Sequence, residues 1–471
     1  MAEANTHIER QFIRRTHVLW AALVVVSALM GLLSLLVSPL LLVGVVVVIA
    51  SVVVIFKYPY AGLLLYLTTF IMRPGELYPA LEPLSIERII GIFVLISALW
   101  AYKKKHGSLF VPRNFDFKMF ILFWVVMLVS FGVSYDIQTS YFRAVDYFKL
   151  IIFYLIIVYT VDDRRKFDIF VGAFVVLIGM IAFLAFRDYY GGGAIYRMGI
   201  ARAHGRTSAG GDPNSLALTL NAMLPLAWAY LRIYRNQIIR LSLIGVMGLC
   251  VLMIINTGSR AGLLALLTLI GMQILFSRHR LVAIVIMIPV LIGGWFMLPE
   301  QYQMRYLTLT KTEGNRDEIS SGRISIWENG MRMFYAHPIL GVGAGAFRKA
   351  NATGNFGPAM DMQAHSIYVQ LLATTGIVGT LVWFLFLGGV IAGLTRRAGP
   401  GGDDEEPDDD TRWVIYLRQA IISIYVVLLM GGMFAHSLYR FNWYLMAAIA
   451  YVLVTIYQSR RKADNSEKVL A

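Results

Sequence analysis

Residues 239–276 read IRLSLIGVMGLCVLMIINTGSRAGLLALLTLIGMQILF. Two apolar runs, 239–255 and 260–276, each approach the roughly 20 residues that cross a bilayer as a helix. Only NTGS separates them. This is the pattern of two membrane helices joined by a very short turn, with one arginine, Arg260, fixed at the start of the second. The same kind of run recurs near 17–36, 40–56, 60–72, 86–102, 118–134, 143–161, 167–186, 214–231, 281–297, 366–394, 415–435 and 441–458. The reading is an all-α, polytopic integral membrane protein of about 12–14 transmembrane helices.

Composition agrees. The chain has 471 residues, of which 58% are hydrophobic and 15% charged. A soluble chain of this length needs far more polar surface, so the apolar excess faces lipid. The run from Val18 to Leu36 is too long for a signal peptide, and a second apolar run follows at once. Cys250 is the only cysteine and sits within an apolar run. An intramolecular disulfide and a cysteine metal site are therefore excluded.

The net charge of +14 does not point to nucleic acid. Lys103–Lys105, Arg164–Lys166, Arg232 to Arg240, Arg278 and Arg280, Arg396 and Arg397, and Arg460–Lys462 all fall in alternate loops, as the positive-inside rule requires of cytoplasmic ones. The acidic stretch Asp403–Asp410 lies among them and reads as a solvated linker. The organisation is N-terminal transmembrane helices over 1–186, an outer arginine-bearing loop over 187–213, transmembrane helices over 214–297, a large outer loop over 298–365 bearing amphipathic helices, and C-terminal helices over 366–471. A cytoplasmic acidic loop occupies 396–414.

The outer loops should be poor in positive charge, yet they carry many arginines. Arginine stays protonated and presents a planar fork suited to phosphate oxygens. Four stretches concentrate this signal. In HGRTSAGGDPNSLALTLNAMLPLA (204–227), Arg206 precedes a turn in which Asp212 caps a helix that begins at Pro213, and a helix N-terminus favours an anion. Arg202 lies just upstream. In NTGSRAGLLAL (256–266), Arg260 is held near apolar surroundings and needs an anionic partner. In SGRISIWENGMRMFYAHPILGVGAGAFR (321–348), Arg323 can face a ligand or pair with Glu328, and the glycines mark a closely packed irregular turn. In AHSIYVQLLATTGIVG (364–379), His365 precedes a span, with Tyr368 near the same helical face. Two further candidates are Arg73, in the outer MRPGELYP, and Lys149, which follows Arg143 and Asp146 at helical spacing.

These four stretches and their order resemble the O-antigen ligase and O-antigen polymerase superfamily of bacterial membrane glycosyltransferases. The resemblance covers roughly 200–380. It implies a GT-C-type enzyme of polysaccharide or lipopolysaccharide biosynthesis in the bacterial inner membrane, with its active site facing the periplasm. The implied donor is an undecaprenyl-pyrophosphate-linked glycan. The implied acceptor is lipid A core, a growing glycan or a protein. Arg206 and Arg260 would hold the pyrophosphate and His365 would activate the acceptor hydroxyl, with Arg323, Arg202, Arg73, Lys149 and Tyr368 as substrate-binding candidates. The family often has Glu before the Thr-Gly of the last motif, whereas this chain has Thr374, so that glutamate's role does not carry over.

The residues suit this chemistry in their own right. A neutral histidine can take a proton near neutral pH, and fixed arginines can neutralise a departing pyrophosphate. No cofactor or outward metal-ligand cluster is evident, and single displacement predicts inversion at the anomeric carbon. Ligase is preferred to polymerase or protein O-glycosylation ligase on the wording of the motifs. A lipid-linked-glycan flippase is the rival from another class. Transporters, however, place polar, broken helices at the midplane, whereas these span centres are nearly free of charge.

Overall fold

In the computed structural model, residues 49–197, 199–207, 210–307, 318–397, 408–435 and 437–470 are described. The expected spans at 17–36 and over most of 40–56 lie outside them, as do 308–317 and most of the acidic stretch. The chain divides into two compact units, Met1–Gly62 and Leu63–Ala471. In the first, residues 49–57 are helical. The site described below belongs to the second.

The fold is all-α and polytopic. Its helices are α1 Pro59–Met72, α2 Pro74–Leu77, α3 Ile86–His106, α4 Phe115–Val129, α5 Ile137–Thr160, α6 Arg164–Tyr190, α7 Pro213–Ile233, α8 Gln237–Asn256, α9 Arg260–Leu275, α10 Arg280–Met297, α11 Glu300–Leu307, α12 Glu318–Ala336, α13 Phe347–Ala352, α14 Ile367–Arg397, α15 Asp409–Gly432 and α16 Phe441–Leu470. Among the described residues, seven helices are long and apolar enough to span a membrane, in α4, α6, α7, α8, α14, α15 and α16. The helices α9 and α10 are apolar but shorter. The 21-residue α3 and the 24-residue α5 have the length but carry charge, Glu87 and Arg88 in one and Arg143, Asp146 and Lys149 in the other. Those charged turns face the site rather than lipid.

Burial separates core helices from peripheral ones. The hydrophobic windows of α7 and α16 are 78% buried, against 17% for α8. On α10, Leu281, Val285 and Phe296 stand exposed, as expected of a surface that lipid covers. An aromatic layer joins four helices: Phe120 of α4 stacks on Tyr444 of α16 at 4.9 Å, with Tyr147 of α5 edge-on to the same ring and Phe386 of α14 beside it. Rings in these geometries add to their area burial.

One end of the bundle gathers the basic runs. There Asp168 accepts hydrogen bonds from Tyr230 and Trp413, each 2.8 Å. Arg164 and Arg460 both pair with Asp410, and Asp408 caps α15 through the Thr411 amide. This part of the acidic stretch is therefore structural, where the sequence suggested a solvated linker. At the opposite end, the loop after α6 forms a small hairpin of β1 Ile195–Arg197 and β2 Ile200–Arg202. The hairpin is anchored by Tyr302 of α11, whose hydroxyl donates to the Ala201 carbonyl at 2.6 Å.

The segment from α12 to the start of α14 builds its own small core. Ile326 and Met333 of α12, Val342, Phe347 of α13, Phe356 and Ala373 of α14 are all buried together. The HPILGVG segment lies against α14, where the helix breaks. Gly376 has φ +61 and ψ −164, backbone that is essentially open only to glycine. The break frees main-chain groups, and the loop meets them: the Val342 amide donates to the Ala373 carbonyl and the Ile377 amide to the Pro338 carbonyl, both at 2.8 Å. The span expected at 366–394 is thus a half-helix, 367–375, followed by a long helix.

Candidate active site

The N-termini of α7 and α9 meet at the hairpin end. Asp212 caps α7, accepting from the amides of Asn214 at 3.0 Å and Ser215 at 3.2 Å. Ser259 caps α9, accepting from the Gly262 amide at 3.1 Å and donating to the Asn214 side chain at 2.7 Å. A Cβ at Gly262 would stand 2.5 Å from that of Ala217, so glycine sets how closely the two helices approach. Arg260, half-buried, opens α9 from this turn. Arg202 is buried and donates to the Thr257 carbonyl at 2.7 Å and to Asn214 at 3.3 Å. Its guanidinium thus ties β2 to both motifs. Arg206, more than half exposed, forms a fork-to-fork pair with the nearly buried Asp188, at 2.5 and 2.6 Å. That carboxylate raises the arginine's pKa through its hydrogen bonds.

Arg440 connects this cluster to a cavity. It donates to the Ser215 hydroxyl and lies 3.9 Å from Asp212. Burial lowers its pKa from the ordinary guanidinium value, while Asp212 opposes the shift. The cavity measures about 940 Å³, at the upper end of the range for small-molecule sites. Five cationic side chains line it, Arg73, Arg88, Arg143, Lys149 and Arg440, against four carboxylates, Glu76, Glu82, Glu87 and Asp146. Its apolar side includes Phe70, Ile92, Leu95, Leu150 and Ile152. Arg73, at φ +46, pairs with Glu76 at 2.7 Å. Lys149 pairs with Asp146 at 2.8 Å, and Arg143 lies 4.0 Å from the same carboxylate and over the Tyr439 ring. Gly345 of the HPILGVGAGAF segment, at φ +84, lies so close that a Cβ would meet the Arg143 side chain at 2.5 Å.

The half-helix of α14 forms another wall. Gln363 and Gln370 line the cavity, and His365 stands between them in the chain. His365 is half-buried with φ +47, between the buried Ala364 and Ser366. The Ala364 carbonyl is held by the Trp327 indole at 2.9 Å. Tyr368 turns its hydroxyl to the Leu429 carbonyl at 3.0 Å. Thr374, at the place of the family glutamate, is buried and donates to the Gln370 carbonyl at 2.7 Å.

The structure therefore brings Arg73 and Lys149 into one cavity and places Arg202, Arg206 and Arg260 around the adjoining helix ends. His365 and Tyr368 lie on the half-helix segment. Arg323 lies half-buried on α12 and is not among the cavity-lining residues. Sequence reading passed over Arg88, Gln363 and Gln370 and gave no role to Arg440. Arg88, in SIERII, follows a loop that the expected topology puts outside, so the charge bias that exposed the other arginines applies to it too. Among the described residues no group of three or more His, Cys, Asp or Glu is placed to hold a metal ion.

Asp136 sets the start of α5 and hence the position of its charged turn. Its carboxylate accepts from the Thr139 amide at 3.0 Å and hydroxyl at 2.7 Å, and these bonds lower its pKa. Asp136→Ala is expected to cost about 1 kcal/mol, visible as a lower unfolding temperature in detergent, with Asp136→Asn nearly neutral. Because the folded pKa is depressed, the cap's charge-dependent contribution is present above the ordinary carboxylate range. It disappears as pH falls through the folded value.

Residues 245–384 match the model of the O-antigen ligase family. The matched segment holds the TGSRAG turn, α12, the HPILGVG segment and the half-helix after His365. No curated protein matches the chain. The chain is thus a polytopic helical membrane protein whose segment 245–384 is similar to the O-antigen ligase family.

Proposed function

We propose that this protein moves a glycan from an undecaprenyl-pyrophosphate donor to an acceptor hydroxyl at the periplasmic face of the bacterial inner membrane, in the manner of an O-antigen ligase, with lipid A core, a growing glycan or a protein as acceptor. The observation that carries this reading is the cavity with five cationic side chains beside the α7 and α9 N-termini. Fixed cations can neutralise a pyrophosphate, above all as it departs, and with four carboxylates in the same lining the five cations are largely balanced until the donor arrives.

On this reading Arg440, Arg143, Lys149, Arg73 and Arg88 hold the pyrophosphate in the cavity. Arg260 and Arg206 add charge at the adjoining helix ends. The Arg73–Glu76 and Lys149–Asp146 pairs keep the cations positioned and neutralised until the donor arrives. His365 takes the proton of the acceptor hydroxyl. The acceptor oxygen attacks the anomeric carbon from the side opposite the pyrophosphate. The bond from that carbon to the pyrophosphate oxygen breaks, its electron pair leaves on the oxygen, and the anomeric configuration inverts. Arginines neutralise the leaving group where other enzymes use a divalent ion, so a chelator should not slow the reaction.

The test is transfer in proteoliposomes with a defined lipid-pyrophosphate donor and purified acceptor. The expected result is coupled product that forms equally well in EDTA and is lost in His365→Ala. Movement of donor across the bilayer without coupling supports the flippase reading instead. Full transfer by His365→Ala contradicts the mechanism.

A further inference from the structure

Gln370 is 4% exposed and lines the cavity. Its side-chain oxygen is buried and lacks a hydrogen-bond partner. Leaving a buried amide acceptor unmet is destabilising, and its neighbours do not meet it. The Thr374 hydroxyl donates to the Gln370 main-chain carbonyl, and the Thr375 hydroxyl to that of Leu371. Both threonines satisfy the half-helix backbone ahead of the Gly376 break. The Tyr368 hydroxyl is turned away to Leu429. The half-helix is also not free to rotate Gln370 into another partner, because the HPILGVG segment holds its end at Ala373.

We infer that Gln370 is a specificity residue whose amide meets a hydroxyl of the donor's first sugar, the one joined to the pyrophosphate. This deepens the proposed function and rests on it. The cations that would hold the pyrophosphate line the same cavity as Gln370, so the sugar attached to that pyrophosphate is the ring within its reach. A sugar hydroxyl both donates and accepts, so it satisfies the amide in either orientation of its oxygen and nitrogen. A site built around such a polar group rejects the analogue that lacks the partner, because the buried group is then left unpaired.

The experiment is steady-state transfer by wild type, Gln370→Met and Gln370→Leu, with the parent lipid-linked donor and a series of donors each lacking one hydroxyl on the first sugar. The apolar variants remove the unmet acceptor, so the unfolding temperature should hold or rise. The KM for parent donor should rise about ten-fold, with the acceptor KM unchanged. One mono-deoxy donor should be handled equally by wild type and Gln370→Met, since with that donor the contact is absent in both enzymes. Equal KM for parent donor in the variants and wild type overturns the inference, as does a rise confined to the acceptor. If neither variant folds, wild type alone decides: equal handling of parent and every mono-deoxy donor overturns it, and selective loss with one donor supports it. Absence of transfer by wild type counts against the proposed function itself and is thereby distinct from failure at Gln370.

Discussion

Gly376→Ala is expected to remove most of the folded, active protein, whereas Gly388→Ala, in the same helix, is expected to leave it intact. The two substitutions add the same methyl group to α14. At Gly376 the backbone has φ +61 and ψ −164, and holding a residue with a Cβ there costs roughly 1–3 kcal/mol before any contact is considered. The methyl would also stand 2.3 Å from the Ile339 carbonyl oxygen and 2.4 Å from its carbon. Neither atom can yield, because the HPILGVG segment is bonded to α14 on both sides of the break. Relief would require the half-helix to separate from that segment, carrying Gln370 with it and disturbing the chain at His365. At Gly388 an added Cβ meets nothing within 4 Å, and alanine is the better helix former by about 0.5–1 kcal/mol. Yield after size-exclusion chromatography, unfolding temperature and transfer rate should all fall together for Gly376→Ala and hold for Gly388→Ala. Normal folding of Gly376→Ala would mean that α14 runs unbroken.

The second large effect is expected at Arg440. Arg440→Ala should lower transfer about 10²–10³-fold, the typical loss when one fixed donor to developing charge is removed. Arg440→Lys should recover little of it. The guanidinium lines the cavity, donates to Ser215 and lies 3.9 Å from Asp212. A single ammonium cannot hold the α7 N-terminus and still present a planar fork to an anion. The loss should appear in donor KM and in kcat, because in the proposed mechanism both the ground-state pyrophosphate and its departing charge face the same residue. Steady-state transfer with donor and acceptor varied in turn measures it, alongside Arg206→Ala as a comparison. Arg206 is exposed and already paired with Asp188, so the smaller effect is expected there. Equal losses for the two variants would shift the centre of the site from the cavity to the loop after α6.

Much of this arrangement was legible because topology restricts charge so strongly. Arg260 was readable from a turn too short to let it move, and Asp212 from its place before Pro213 in a helix-starting pattern. Arg73 and Lys149 stood out as charges at outer positions. What was not legible depends on contacts distant in the chain. The run ATTGIVG reads as continuous apolar helix, and only the docked HPILGVG segment turns Gly376 into a break. Arg202 reads as one more loop arginine until β2 brings it to Thr257 and Asn214. The convergence of Arg440 with Ser215 spans more than two hundred residues of sequence. Gln370 looks like an ordinary polar residue in a span, and its significance comes from the cavity that its helix faces. Asp408 and Asp410 were hidden by the low complexity around them, since their partners Thr411, Arg164 and Arg460 are not marked by any motif.

The central proposal is that the cavity between α3, α5 and the half-helix holds the donor's pyrophosphate. An experimental structure with a non-transferable lipid-pyrophosphate glycan analogue tests it most directly. The expected result is the pyrophosphate within hydrogen-bond distance of Arg440 and Lys149, and the first sugar against Gln370. A pyrophosphate seated instead at the exposed Arg206, with the cavity left without donor, would contradict it.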